Sequence, residues 1–448
     1  MSVSQSLTRD LNEENPMKVL AILLAQNPKR SVGFFQKSSE SGGVFQPEET
    51  TIGFDPAEHY TLKGGQDPFQ ILKEQSSLAM GYLAYDSVRF REPILNRAKG
   101  GFSQIQADST SAEFSIFQKI LIFDHRKKKI KLITQEGKNL ASEFDALLEA
   151  SNRLSERVPT PASNAELKPE DFRCLLGSEA YKSGVRKLQQ HILAGDIFQA
   201  VLSERFETTL TVTPFEIFQT LVEIGSSAYQ FFFSTPERTV LGASPELLLS
   251  VKEGKLETHP IAGTRPRGKT EAEELQNQND LLKDTKENAE HLMLVDLARN
   301  DLGRISKPGS VKVSERNLVK KFPSVMHIVS KVVGDLKTEN TPVDALASCF
   351  PAGTLSGAPK IRAMQLISEI EGSPRGFYGG AFFLAKEDDL EACISIRSME
   401  IIGDKGFIQA GAGIVMDSNP DSEYEEVLHK SRTLRRVLAL TRLRRQGK

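Results

Sequence analysis

The stretch from Tyr229 to Ile261 constrains the fold more than any other part of the chain. It reads YQFFFS, TVLGAS and LLLSVKEGKLETHPI, runs rich in aromatic and β-branched residues whose connections are too short to hold a helix. Parallel pairing needs a crossover of about a dozen residues or more, so these runs are expected to pair antiparallel, as hairpins. Helical patterns surround them. EAYKSGVRKLQQHILAGD is amphipathic and should end at Gly195, NAEHLMLVDLARNDLG should end at Gly303, and KIRAMQLISEIEG at Gly372. Such a chain is α+β or mixed α/β, with antiparallel pairing favoured over a doubly wound sheet.

Residues 1 to 150 alternate short apolar segments, MKVLAILLA and KILIF among them, with breaks rich in Gly, Pro and Ser, and DHRKKKIKL reads as a basic turn between strand-like runs. The Pro- and Ser-containing segment SERVPTPASNAELKPED separates an N-terminal domain, 1–160, from a larger one, 172–440. With 57 basic and 59 acidic residues the net charge is −2, so there is no bulk attraction to nucleic acid or to a membrane, and any anionic ligand needs a local site. The polar start MSVSQSLTRDLNEENP and the absence of long apolar runs point to a cytoplasmic protein. Cys174, Cys349 and Cys393 have no metal-type spacing and an odd count, which suits thiols rather than disulfides. The basic segment KSRTLRRVLALTRLRRQGK is expected to pack as a terminal helix with a solvated face.

The chemistry is concentrated in two acidic segments. In DTKENAEHLML, Glu287, Glu290 and His291 lie at i, i+3 and i+4, which places them along one helical face. In NPDSEYEEVLHK, Ser422 and Glu425 fit a capping box, and Glu423, Glu426 and Lys430 share a face. Paired carboxylates suit a hard cation such as Mg²⁺, although acidic helix faces are more often simply solvated. Small-residue strings, PIAGTRPRG, FPAGTLSGAPK, YGGA and QAGAGI, allow backbone N–H groups to approach a ligand or simply make tight turns. None of them is a Walker A loop or a Rossmann fingerprint.

Taken in order, GDIFQAVLSERF, LGASPELLL, PIAGTRPRG, AEHLMLVDLARNDLGRI, VMHIVSKVVG, FPAGTLSGAPKIRAMQLI, FYGGA, CISIRS and QAGAGIVMDSNPDSEYEE resemble the chorismate-utilising enzymes. That family comprises anthranilate, aminodeoxychorismate, isochorismate and salicylate synthases. The resemblance implies a large antiparallel-sheet sandwich flanked by helices, with 172–440 as the chorismate-binding catalytic domain. The N-terminal region would be regulatory or structural and partly packed into the core. It also implies that Glu287, Glu290, Glu423 and Glu426 hold Mg²⁺, which a dianionic substrate among four glutamates would require. Arg397 would grip the enolpyruvyl carboxylate, for which its planar fork is suited. Thr264, Thr354, Tyr378, Gly411, Gly413 and Lys430 match other substrate-contacting positions. Glu246 would be the general acid for the departing C4 hydroxyl, its pKa raised by burial or neighbouring carboxylates. His327 matches the histidine of pyruvate elimination, or on its own reads as a core histidine at a helix start.

Two positions bear on the reaction. Gln199 stands where the water-activating members carry a lysine, so ammonia is the expected nucleophile. Ala262 stands where many aminodeoxychorismate synthases carry a nucleophilic lysine. The motif wording leans to the anthranilate-forming large subunit, with aminodeoxychorismate formation the alternative and isochorismate or salicylate formation behind both. No cysteine sits in a glutaminase-like GxCxG context, so ammonia is expected from a separate glutamine amidotransferase subunit in a hetero-oligomer. An LLES segment is absent, and GSSAYQFFF carries Ala228 and Gln230 where the tryptophan-controlled enzymes have Pro and Met, which leaves inhibition by tryptophan open. A non-catalytic relative would be expected to lose some of these glutamates or Arg397, and a metal-dependent hydrolase has no further support in the sequence.

Overall fold

The strand-like runs fold as hairpins: Tyr229–Ser234 pairs antiparallel with Arg238–Ser244, and Leu247–Lys252 with Lys255–Thr258. The structure is a computed structural model that describes residues 5–446 except 13, 27, 42–43, 76–77, 135–139, 155–166, 226 and 323–324. Most of the expected interdomain linker therefore lies outside the described residues. Strands β1 (Val32–Ser41), β2 (Val44–Lys63), β3 (Ala79–Leu83), β4 (Gln199–Thr209), β5 (Tyr229–Ser234), β6 (Ile261–Pro266), β7 (Val325–Asp335), β8 (Ala381–Lys386) and β9 (Lys405–Ile414) frame the core. Helices α1 (Thr285–Gly303), α2 (Lys360–Glu371) and α3 (Pro420–Gln446) flank it.

Two sheet arms diverge from the strand Thr110–Asp124, which pairs with both β2 and β3. One arm continues through β2, β1, β5, Arg238–Ser244, Ser398–Ile402 and β9 to β4. The other continues through β3, β8, Asp389–Ile394, Leu247–Lys252 and Lys255–Thr258 to β7, which also takes up β6. Every one of these pairings is antiparallel. Strands from before residue 160 are thus hydrogen-bonded to strands from after 172, β1 to β5 and β3 to β8.

The arms face each other as a sandwich filled by aromatic rings. Phe231 of β5 stacks on Phe382 of β8 at 4.4 Å between centroids, and Phe35 and Phe377 pack around them. Truncating one such buried ring to alanine costs about 3–5 kcal/mol, most of it from the cavity left behind. Outside the first arm lie the helices Pro16–Gln26, Ser178–Leu193, Pro214–Ile224 and α3; outside the second lie α1 and Pro342–Cys349. No helix among the described residues is long and apolar enough to cross a membrane.

Local signals behave as their chemistry requires, with three exceptions. The helix Ser178–Leu193 stops just before Gly195, and α2 stops at Gly372, both glycines at positive φ, and α1 includes Gly303. VMHIVS, by contrast, is not a helix start; His327 lies within strand β7, where alternation buries Met326 and Ile328. The Ser422–Glu425 capping box does not form, because Asn419 caps α3 instead, its side chain accepting from the N–H groups of Asp421 and Ser422. The basic end of α3 packs as expected, with Leu434, Val437, Leu438 and Leu440 buried, but its basic face is not wholly solvated: Arg442 donates to the Thr209 carbonyl, and Arg444 pairs with Glu223.

Candidate active site

Between the edge of the sandwich and the helices α1 and α3 lies a cavity of about 530 Å³ that takes its lining from β4, β6, β9, both helices and the loops between them. Each of the residues expected in the site lines it: Gln199, Glu246, Thr264, Glu287, Glu290, His327, Thr354, Tyr378, Arg397, Gly411, Gly413, Glu423, Glu426 and Lys430. Ala262 does so as well.

The four glutamates arrive on two helices whose starts are fixed by side-chain caps. Asp284 caps α1 by accepting from the N–H groups of Lys286 and Glu287, and Asn419 does the same for α3. Within each pair the two carboxylates differ. Glu287 is bound by Arg265 at 3.1 Å and Glu426 by Lys430 at 2.7 Å, whereas Glu290 and Glu423 have no ion pair among the described residues. Burial pushes the Glu290 carboxyl up; Lys286 opposes this, and the charges of Glu287 and Glu423 add to it. Burial also pushes Glu423 up; Ser418 opposes this, and Glu426 adds to it. Carboxylates brought together from separate helices, with the Glu423 charge felt at Glu290, are a donor set that fits a hard divalent cation. Among the described residues no group of three or more acidic, histidine or cysteine side chains is already drawn close enough together to hold a metal ion.

His291 does not join this face. It is buried against β7, with Nε2 2.7 Å from the Ser330 hydroxyl, and burial lowers its pKa to about 4.

Glu246 follows the strand Arg238–Ser244 into the cavity wall, where it is buried and accepts a 2.8 Å hydrogen bond from the Thr354 hydroxyl. Burial lifts its pKa to about 7, against the opposing pull of Thr354 and of the Lys430 charge. Neighbouring carboxylates, an expected contributor, are not among the causes. His327 reaches in from β7 with Nδ1 2.7 Å from the Gly263 carbonyl and 3.1 Å from the Thr264 hydroxyl. An Nδ1–H that donates to Gly263 leaves Nε2 as the proton acceptor, a tautomer assigned from the hydrogen bonding. Burial lowers the pKa of this imidazole; the Gly263 bond opposes the shift, and Arg397 and Lys430 reinforce it.

Arg397 holds a positive φ of 50°, with its carbonyl accepting from Ala243 N at 3.1 Å and its Nη1 donating to the Lys430 carbonyl at 2.6 Å. Lys430 in turn donates to the Gly411 carbonyl at 3.0 Å. Two glycines of QAGAGI lie close to other groups, and Gly411 is held to glycine by backbone, since a Cβ there would sit 2.8 Å from the Leu202 carbonyl oxygen. A Cβ at Gly411 would sit 2.9 Å from the Tyr378 hydroxyl, and one at Gly413 2.7 Å from the Gln199 amide nitrogen. Beneath the floor, buried Arg375 forks onto Glu371 at 2.9 and 2.7 Å and donates to the carbonyls of Leu355 and Val201. Ser203 completes Glu371 through its N–H and hydroxyl.

Sequence reasoning did not single out Lys286, Phe322, Ile396 or the Arg375–Glu371 pair. Lys286 adjoins Glu287 and could have been flagged by that alone; the others carry no motif of their own.

The family model described as chorismate binding enzyme matches residues 4–436. Anthranilate synthase component 1 of Bacillus subtilis (strain 168) is 40% identical over 382 residues, covering 80% of this chain and 72% of that protein. Aminodeoxychorismate synthase component 1 of the same organism is 38% identical over 370 residues, covering 81% and 77%. The crystal structure of anthranilate synthase component I from Streptococcus pneumoniae TIGR4 superposes with a TM-score of 0.74 at 33% identity, covering 89% of this chain and 93% of that one.

Proposed function

This chain belongs to the chorismate-binding enzymes, and from that premise we propose that it is the large subunit of an anthranilate synthase, turning chorismate and ammonia into anthranilate and pyruvate. The observation that carries the choice of nucleophile is the lining itself: Gln199 and Ala262 both face the cavity, so neither a lysine base for water nor a lysine nucleophile is present at these positions.

Arg397 and the neighbouring backbone hold the enolpyruvyl carboxylate. Glu287, Glu290, Glu423 and Glu426 hold Mg²⁺, which when bound offsets their charge and that of the ring carboxylate. Glu246, whose burial lifts its pKa to about 7 so that a protonated fraction persists near neutrality, gives its proton to the C4 hydroxyl. The hydroxyl leaves as water while ammonia forms the new C–N bond beside the carboxylate-bearing ring carbon. In the second half His327 Nε2 takes the ring proton from the aminated carbon, the ring C–O bond breaks with its electron pair leaving on oxygen, and the departing enolate becomes pyruvate on gaining a proton at its methylene carbon.

Ammonia is supplied by a separate glutamine amidotransferase subunit, a reading supported by the component 1 naming of relatives. The second reading, aminodeoxychorismate formation, is favoured by the comparable identity of the Bacillus subtilis enzyme of that name. Purified protein given chorismate, ammonium and Mg²⁺ at mildly alkaline pH tests both. Magnesium-dependent anthranilate fluorescence with equimolar pyruvate is expected. An aminated product that retains its enolpyruvyl group would replace this reading with the second, and isochorismate or salicylate would overturn the role of Gln199. Added tryptophan then tests regulation in the same assay.

A further inference from the structure

The β1 side of the hairpin is tied to the central sheet as far as Lys37, the last β1 residue paired with β5, and Ser38, whose N–H donates to the Ala228 carbonyl at 2.8 Å. Beyond a register shift between Lys37 and Ser38 the hairpin continues as a two-stranded arm, to Ser41 opposite Val44. Two strands alone hold their shape poorly in water, so such an arm needs an anchor. Phe45 is that anchor. Val44, Gln46 and Pro47 around it are exposed, while Phe45 is half-buried, its ring 5.8 Å from that of Phe322.

Phe322 is fixed on its other sides. Its N–H donates to the Val325 carbonyl at 2.8 Å, and its own carbonyl accepts from Arg267 at 2.8 Å. Its ring meets that of His327 at 5.1 Å and 70°, an edge-to-face contact that favours one imidazole orientation. Imidazole rotation about its outer bond is otherwise broad, so the Gly263 hydrogen bond and this aromatic edge together set where Nε2 points.

We propose that Phe45 and Phe322 are positioning residues for His327, the N-terminal arm holding the Phe322 ring against the imidazole so that Nε2 faces the proton it removes. The inference rests on the assignment of His327 to pyruvate elimination. It gives the N-terminal hairpin a part in the second half-reaction although none of its own residues lines the cavity.

The test follows chorismate consumption and pyruvate release separately in the full chain, with ammonium and Mg²⁺. Phe322→Ala should lower the rate constant for pyruvate release about 10- to 100-fold, the scale expected for misplacing a reacting group, with KM for chorismate within about twofold. The aminated product that still carries its enolpyruvyl group should accumulate. Phe45→Ala, at an exposed tip where the core is undisturbed, should act in the same sense by about 3- to 10-fold, and Phe45→Tyr should recover most of that loss. Unchanged pyruvate release in both alanine variants, or a raised KM at constant kcat, overturns the proposal. His327→Gln separates the two levels. If it slows elimination while the phenylalanine variants do not, the brace alone fails; if it releases pyruvate normally, the histidine assignment fails and the brace with it.

Discussion

Beneath the cavity floor Glu371 receives a guanidinium fork, a backbone N–H and a hydroxyl; in the wall above, Glu246 receives one hydroxyl. Both carboxylates are buried. They are also linked through the chain, because Arg375 holds the carbonyl of Leu355, next to the Thr354 that bonds Glu246. The contrast lies in how fully each carboxylate is partnered. A buried charge with its hydrogen bonds filled is a structural member, and one left short of partners holds a proton it can give away.

The largest effect should come from breaking the filled site. Arg375→Ala leaves Glu371 buried without its counter-charge and should cost about 3–5 kcal/mol, read as a fall of many degrees in thermal unfolding. A variant that unfolds near the parent temperature would mean that Glu371 does not depend on the Arg375 fork.

Emptying the reactive site should do the reverse. Glu246→Gln should lower kcat by about 10²- to 10⁴-fold, and the decline of kcat/KM above a pH near 7 should vanish with it. Its stability should move the other way. Because the folded protein holds the Glu246 proton more tightly than the unfolded chain does, the group's contribution is complete below about pH 4.5 and is lost as pH rises through about 7. The glutamine variant should therefore be more stable than the parent at pH 8, by on the order of 2–3 kcal/mol and read as a higher unfolding temperature, and similar to it at pH 4.5. Equal unfolding at both pH values would mean that Glu246 is not held protonated.

The same distinction can be sharpened among the cation-binding candidates. Glu290→Gln or Glu423→Gln should raise the Mg²⁺ needed for half-maximal activity by about 10- to 100-fold. Glu287→Gln or Glu426→Gln should raise it less, since Arg265 and Lys430 already hold those charges. The smallest effect belongs to His291→Gln, with a loss of about 1 kcal/mol from the Ser330 hydrogen bond and activity within about twofold, measured by thermal unfolding and by the chorismate assay.

What could be read from the sequence follows from how local each signal is. Hairpins at 229–258 are dictated by neighbouring residues and short turns, and they form. The facing of Glu287 and Glu290 follows from helical periodicity, yet the same periodicity misplaced His291. Adjacent positions on a helix point about 100° apart, so Glu290 can face the cavity while the next residue faces the sheet. Ser422 has capping chemistry, but Asn419 lies one turn earlier and takes the role. The bonds that tie Glu371 to Ser203 and Arg375 to Val201, and the Phe45–Phe322 contact, join segments far apart in the chain, through side chains whose types are ordinary. No single stretch of sequence encodes them.

Helix α3 has one more consequence. Among the residues around the cavity, Glu423, Glu426, Lys430 and Leu434 are the last in chain order, and Lys430 also supplies the carbonyl that Arg397 binds. On a ribosome, which releases polypeptide from its amino end onward, the sheets can assemble before α3 has emerged. A growing chain would then hold half of its acidic quartet and an arginine without its carbonyl partner. The wall of the cavity is therefore complete only once α3 has docked.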